Sequence, residues 1–263
     1  MKKKALPILV VCGLIVIIVA IMGVTSLIRK YTPSKERQDL NTYYNVSSDD
    51  QVAIIMNNEI IESQGKLIDG HVYLDYNFIH DNINSRFYWD HNENILLYAT
   101  SQDLISAEAD ATKYLITKSS VDYGRAIVKA SSDSAYVDLD FVKQYSDFTY
   151  EYFDSPNRLV ITNKWGNYNV ATAKRSTYVR LKGGIKSPIL EDLADKDEVT
   201  IIETGDTWTK VQTSDGIIGY VQGKKLSDPT EKTRTSDYTP ETFAHIQKDF
   251  KICMAWHQVT NSA

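Results

Sequence analysis

The chain has only two cysteines in 263 residues, and they cannot meet: Cys12 lies inside a long apolar run and Cys253 lies ten residues from the end. Without a disulfide framework, the domains must stand on their own hydrophobic cores. Basic charge is also short. Residues 1–30 hold five of the 29 Lys and Arg and none of the 34 Asp and Glu, so the rest of the chain has 24 cations against 34 anions, a net of −10. A body of that sign repels nucleic acid and anionic lipid beyond a Debye length of about 10 Å, which excludes both on net charge. Histidine numbers five, and no H-x-H or H-x3-H pair sets two imidazoles on one face.

What is present begins with the apolar run at residues 5–28, fenced by Lys2, Lys3 and Lys4 before it and by Arg29 and Lys30 after it. As a helix it spans about 36 Å, enough for a hydrocarbon core of about 30 Å. A cleaved signal peptide has an apolar core of about 7–15 residues and an A-x-A-like site, which neither Gly23 nor Thr25-Ser26 supplies. The run predicts an uncleaved single-pass anchor, residues 1–30 with the cytoplasmic stub. The excess of lysines before the helix places the body outside the cell. Residues 31–50, polar and containing Pro33, read as a spacer.

From residue 51 the chain carries an internal repeat. Tyr73-Leu-Asp-Tyr-Asn-Phe-Ile79 aligns with Tyr136-Val-Asp-Leu-Asp-Phe-Val142 at a spacing of 63, and Asp90-His-Asn-Glu-Asn-Ile-Leu-Leu97 with Asp154-Ser-Pro-Asn-Arg-Leu-Val-Ile161 at 64. Each unit reads as a strand, a short helix and a strand pair, with Asp75 and Asp138 as N-caps. Two such units bury little alone and more when packed together. Val52-Ala-Ile-Ile-Met-Asn-Asn-Glu-Ile-Ile61, Ile68-Asp-Gly-His-Val-Tyr-Leu74, Phe87-Tyr-Trp-Asp90 and Ile95-Leu-Leu-Tyr98 resemble the copper amine oxidase N-terminal-like domain, a stalk or wall-associated module of exported Gram-positive proteins. The resemblance covers residues 51–164 and implies no copper.

His71, His80 and His91 lie near one another in sequence beside Asp75, Asp81 and Asp90, so a metal cluster is one reading of these residues. The second unit carries Ser134, Lys143 and Ser155 at the matching places, so the fold requires no imidazole there, and surface histidines with no metal are expected. The strand aromatics Tyr88, Trp89, Tyr150 and Tyr152 read first as core or cross-strand pairs and second as platforms for sugar rings.

Residues 173–228 are strand-rich with tight turns. Trp208-Thr-Lys-Val211, the Asp215-Gly216 turn and Gly219-Tyr-Val221 stand in the order and spacing of a bacterial SH3-like domain, which this stretch resembles. Such domains bind cell-wall peptides or act as spacers. Asp192-Leu-Ala-Asp195-Lys-Asp197-Glu198 nearly spells D-x-x-D-x-D-x-E of family 18 glycoside hydrolases, but its glutamate is one place early, where Val199 should be the acid. In a strand that shift turns the side chain to the other face, so a solvated charged loop is expected.

Residues 229–263 read as a polar linker and then an apolar strand, Phe250-Lys-Ile-Cys-Met-Ala-Trp256. The strand and the order of parts resemble the front end of membrane-anchored, family 18-like glycoside hydrolases, with the catalytic barrel missing. The fold expected is α+β: a transmembrane helix, a two-repeat, mostly antiparallel β domain with short helices at 51–165, and a small all-β SH3-like barrel at 173–228. The function expected is that of an extracellular, cell-wall-associated binding or scaffold protein, non-catalytic as given. The alternative is a truncated hydrolase of N-acetylhexosamine glycans. Partners are the membrane and peptidoglycan or wall glycan, without nucleic acid. Trp89, Tyr152, Trp208 and Tyr220 are the expected ligand contacts, and no cofactor, catalytic or metal residue is assigned.

Overall fold

The computed structural model describes residues 5–100, 102–131 and 134–238. The apolar strand expected at 250–256 lies outside the described residues. Helix α1 (Ala5–Tyr31) is one unbroken element of 27 residues, three longer at its C-terminal end than the apolar run. Within it, Gly13–Tyr31 has a mean hydropathy of 2.0 and none of that window is buried. Leu14, Ile18 and Ile28 are each more than half exposed. A core helix of a soluble protein hides such side chains. By length and composition this one is long and apolar enough to cross a membrane, a test that a membrane anchor and a signal sequence both pass.

After α2 (Leu40–Tyr44) come β1 (Gln51–Met56), β2 (Glu59–Ile68), β3 (His71–Asp75), α3 (Tyr76–Asn82), β4 (Phe87–Asp90), β5 (Ile95–Ala99), β6 (Leu104–Glu108), β7 (Lys113–Ile116) and β8 (Ser119–Asp122). The second unit follows as β9 (Val128–Ala130), β10 (Ala135–Asp138), α4 (Leu139–Gln144), β11 (Thr149–Asp154) and β12 (Asn157–Thr162). The last set is β13 (Gly166–Thr172), β14 (Thr177–Arg180), β15 (Ile189–Leu193), β16 (Glu198–Thr204), β17 (Trp208–Thr213), β18 (Ile218–Gln222), a 3-10 turn at Gly223–Lys225, and β19 (Thr230–Arg234).

The repeat is visible as local structure. Asp75 accepts from the amides of Asn77 and Phe78, and Asp138 from that of Phe141, so each aspartate caps the helix that follows. The equivalent pairs Phe78-Ile79 and Phe141-Val142 are all buried in one core. β3 and β10 then pair antiparallel with Tyr73 opposite Asp138, Leu74 opposite Val137 and Asp75 opposite Tyr136. Each residue thus faces the counterpart of its mirror position, so the two units meet about a local two-fold axis at Leu74 and Val137. Beyond that axis the symmetry fails. The hairpin of β11 and β12 joins the main sheet, ordered β11-β12-β1-β2-β3-β10-β9, through a parallel pairing of β12 with β1. The hairpin of β4 and β5 instead starts a separate sheet, β4-β5-β6-β7-β8.

The remaining strands form a third sheet, β15-β14-β18-β17-β16-β13-β19. It is SH3-like in its β16-β17-β18 hairpins but is not a closed barrel, contrary to expectation. The physical reason lies at its edges. β13 is paired on its outer side by β19, and β15 is met by the segment following α1, through the parallel bridge of Arg37 with Ile189. Both edges that would have to join are occupied by chain from outside the expected domain. Residues 230–234, read as linker, therefore form a strand.

The stretch read as a spacer is bound to this sheet. Ser34 N–H donates to Ile185 O at 2.8 Å, Gln38 N–H to Ile189 O at 2.8 Å, and Ile189 N–H to Glu36 O at 2.8 Å. Then α2, capped by Asp39, wedges between the two bodies. Tyr44 is buried there with Ala53, Ile55 and Ile218. β1 alternates accordingly: Val52, Ile54 and Met56 face the repeat core, Ala53 and Ile55 the joint. The Asp215-Gly216 turn closes the joint from the other side, its Asp215 carbonyl accepting from buried Arg158 Nε at 2.8 Å. Gly216 has φ +78°, and a Cβ there would stand 2.4 Å from Val160 Cγ2.

Two outcomes follow for the melting temperature of the detergent-solubilised chain. Gly216→Ala forces a strained φ and a clash and lowers stability by about 1–3 kcal/mol, whereas Gly184→Ala, where a Cβ meets nothing within 4 Å, changes it by less than about 0.5 kcal/mol. Glu191 in β15 is raised above its ordinary 4.5 chiefly by burial, and its Oε2 has no hydrogen-bond partner. The folded chain holds this proton more tightly than the unfolded one, so the group's contribution is full at low pH and is lost as pH rises through 4.5 and beyond. Glu191→Gln should therefore raise the melting temperature at pH 7, by about 2–4 °C for about 1 kcal/mol, and the gain should shrink below pH 4.5.

Candidate functional site

The four aromatic residues expected to contact ligand do not converge. Trp89 is half-buried against the repeat core, and its indole Nε1 is shut inside without a partner. Tyr152 is exposed on β11 and donates to Asn157 Oδ1 at 2.7 Å. Trp208 and Tyr220 alone share a surface. In the β17–β18 register Trp208 faces Gln222 and Lys210 faces Tyr220, so the half-exposed residues line one face while Val211 and Val221 enter the core.

Much of that face is covered by the protein's own chain. Tyr43 donates to Ile218 O at 2.6 Å, and burial together with the Tyr220 phenol pushes its hydroxyl up to about 12. What stays open is a cleft of about 50 Å³ at the other end of the face, walled by Trp208, Tyr178, Arg180, Lys225, Ile185 and Pro33. A space of that size admits a few waters or one oxyanion, at about 10–15 Å³ per water probe, and no hexosamine ring. Arg180 is 4 % exposed and gives two of its donors to main-chain carbonyls, Ser187 O at 2.5 Å and Ser34 O at 3.1 Å. Its guanidinium lies 5.6 Å from the Tyr178 ring centroid. Lys225 Nζ donates to Thr177 Oγ1 at 2.8 Å. Among the described residues neither cation has a carboxylate within ion-pair distance. Burial lowers both from their ordinary values, and for Lys225 the nearby Arg175, Arg180 and Lys224 lower it further. The cleft is an electropositive notch with two aromatic rings at its mouth. A larger groove of about 510 Å³ beside Asp49, Asp154 and Asn157 has neither a cation nor an aromatic ring in its lining.

Sequence reasoning missed Arg180, Lys225, Tyr178 and Pro33. A signal was present: residues 173–190 hold five basic residues and no acidic one.

The three histidines of the candidate metal cluster form no common group among the described residues. His80 pairs with its neighbour Asp81 at 2.8 Å, and His91 joins no cluster among the described residues. His71 does meet Asp138 and Asp140, with candidate ligand atoms within 4.8 Å of one another. Both carboxylates are already paired with Arg125, whose Nε donates to Asp138 Oδ2 at 2.7 Å and whose Nη2 donates to Asp140 Oδ2 at 2.8 Å. Tyr123 adds a hydroxyl to Asp138 at 2.7 Å and Tyr150 one to Asp140. Both phenols are raised, first by burial and then by these carboxylates. The arrangement is a partly buried ion-pair network at the N-terminus of α4. The near-motif at 192–198 is equally committed: Asp192 pairs with Arg37, Asp197 accepts the Ala194 amide at 2.6 Å, and Glu198 pairs with Lys232 at 2.6 Å.

Residues 175–227 match the family described as the bacterial SH3 domain. That span contains Arg180, Trp208, Tyr220 and Lys225; Pro33 and Tyr43 come from outside it. No curated protein matches the chain. No solved structure matches it either.

Removing Arg125 tests the network directly. Arg125→Leu leaves the carboxylate of Asp138, 1 % exposed, without its counter-ion, and the loss is about 3–5 kcal/mol, read as a large fall in melting temperature. Zinc at 1 mM should leave the wild-type melting temperature unchanged, whereas a metal site of these three ligands would raise it.

Proposed function

We propose that the protein is a membrane-anchored, extracellular binding scaffold of the bacterial cell envelope, acting by holding wall material and not by catalysis. The observation that carries this reading is a bacterial SH3 domain clamped directly to the end of a helix long and apolar enough to cross a membrane. The cleft supports binding, since its lining brings two cations and two aromatic rings to one small opening. The repeat unit, which resembles copper amine oxidase N-terminal-like stalk modules, supplies a rigid body beside the SH3-like sheet. Its exposed rings, Tyr88 at 57 % and Tyr152 at 36 %, are the surfaces on which glycan is held.

The test is co-sedimentation of the detergent-solubilised chain with purified peptidoglycan sacculi. Wild type should sediment well above a soluble control protein. The Tyr88→Ala and Tyr152→Ala double variant should lose about threefold or more of that retention. Sedimentation no greater than the control rejects the wall-binding reading.

A further inference from the structure

Net charge argued against anionic lipid, but the charges are segregated. The five basic residues of 173–190, with Lys224 and Lys225, gather at the end of the SH3-like sheet that holds the cleft. Lys174 N–H donates to Lys225 O at 2.8 Å, which brings the 174–175 corner beside the 3-10 turn. Arg175 and Lys224 stand close enough to Lys225 to lower its pKa. Lys174, Arg175, Lys182, Lys186 and Lys224 are exposed.

This basic face is tied to the end of α1. Lys186 Nζ donates to Thr32 O at 2.6 Å and to Arg29 O, so an ammonium caps the helix C-terminus. Arg180 holds Ser34 O, and Pro33, two residues past the helix end, forms one wall of the cleft. The headgroup zone extends about 5–8 Å beyond the hydrocarbon on each side. With α1 across the bilayer, loop 181–188 and the cleft lie within that zone. Trp208 and Tyr178 then stand where amphipathic rings collect at a membrane surface. At separations under a Debye length, the local cations outweigh the distant excess of carboxylates.

We propose that the basic face around the Arg180–Lys225 cleft is a binding site for the phosphate of anionic phospholipid headgroups. The cleft admits one phosphate oxyanion, Arg180 and Lys225 line it with donors beyond those given to Ser187, Ser34 and Thr177, and the exposed lysines collect further headgroups around it. The lipid so held orients the SH3-like sheet on the membrane. The proposal rests on α1 being a membrane anchor, which flotation of the full chain with phosphatidylcholine vesicles tests by itself.

For the site, the full chain in a zwitterionic detergent is offered equal amounts of phosphatidylglycerol and phosphatidylcholine, and retained lipid is counted by native mass spectrometry. Phosphatidylglycerol should be retained preferentially. The preference should fall about fivefold for each cation removed in Lys224→Gln and Lys225→Gln, with their melting temperatures held near wild type, and should be unchanged in Lys113→Gln, an exposed lysine on β7. Equal retention of the two lipids by the wild-type chain overturns the proposal. So does a preference that the Lys224→Gln, Lys225→Gln double variant keeps undiminished, since the cleft would then not hold the lipid. Displacement of the lipid by millimolar acetate, inorganic phosphate or a short peptide with a free carboxylate also overturns it, since the cleft would then be a site for a soluble anion.

Discussion

The structure depends on the docking of one polar segment, residues 33–46, along the SH3-like sheet. Main-chain bonds of Ser34, Glu36 and Gln38 to the strand edge at Ile185 and Ile189 give it a fixed path, and Tyr43 and Tyr44 anchor its end between the two bodies. Backbone pairing of this kind satisfies an exposed edge that would otherwise recruit another chain. It also fixes distance. A sheet whose residues begin more than 130 positions after the helix is brought within one residue of the helix end, because Lys186 reaches the carbonyls of Thr32 and Arg29.

Two consequences follow from that constraint. The sheet is not a closed barrel, since the strand edges needed for closure are paired with residues 34–38 and with β19. The face expected to receive ligand at Trp208 and Tyr220 is partly covered by Tyr43, and what remains open is the cleft at Arg180 and Lys225. The repeat unit is joined to the same framework through β1, whose alternate side chains enter two different cores. A defect in the segment would therefore reach the joint and the cleft together.

The parts legible in the sequence were those set by neighbours along the chain. The N-cap aspartates, the buried Phe-Ile and Phe-Val pairs, the Asp-Gly turn and the β16–β18 hairpins need only local patterns, and they are present. Pairing between distant segments was not legible. Strands β6–β8 and β19 carry weak alternation, and the two-fold meeting of β3 with β10 needs a register that spacing does not supply. Residues 31–50 looked like a spacer because polarity says nothing about main-chain bonds. In the site, Trp208 and Tyr220 were found by motif, while Arg180 and Lys225 were two charges among many until the fold placed them side by side. The histidines illustrate the reverse: near in sequence, they are separated by the fold, and the one that meets carboxylates meets them already paired with Arg125.

The docked segment holds the SH3-like sheet at the end of α1 and so, in the proposed reading, against the membrane. The most direct measurement is the membrane depth of a spin label in proteoliposomes, placed at Gly184 in a chain whose own cysteines are replaced, with a second label at Asn92 in the β4–β5 turn for comparison. With the sheet against the membrane, the label at residue 184 lies within about 10 Å of the phosphate plane, inside or just outside the headgroup zone. A label there that is as open to aqueous relaxants as a freely dissolved spin label would contradict it, whatever the label at residue 92 reports.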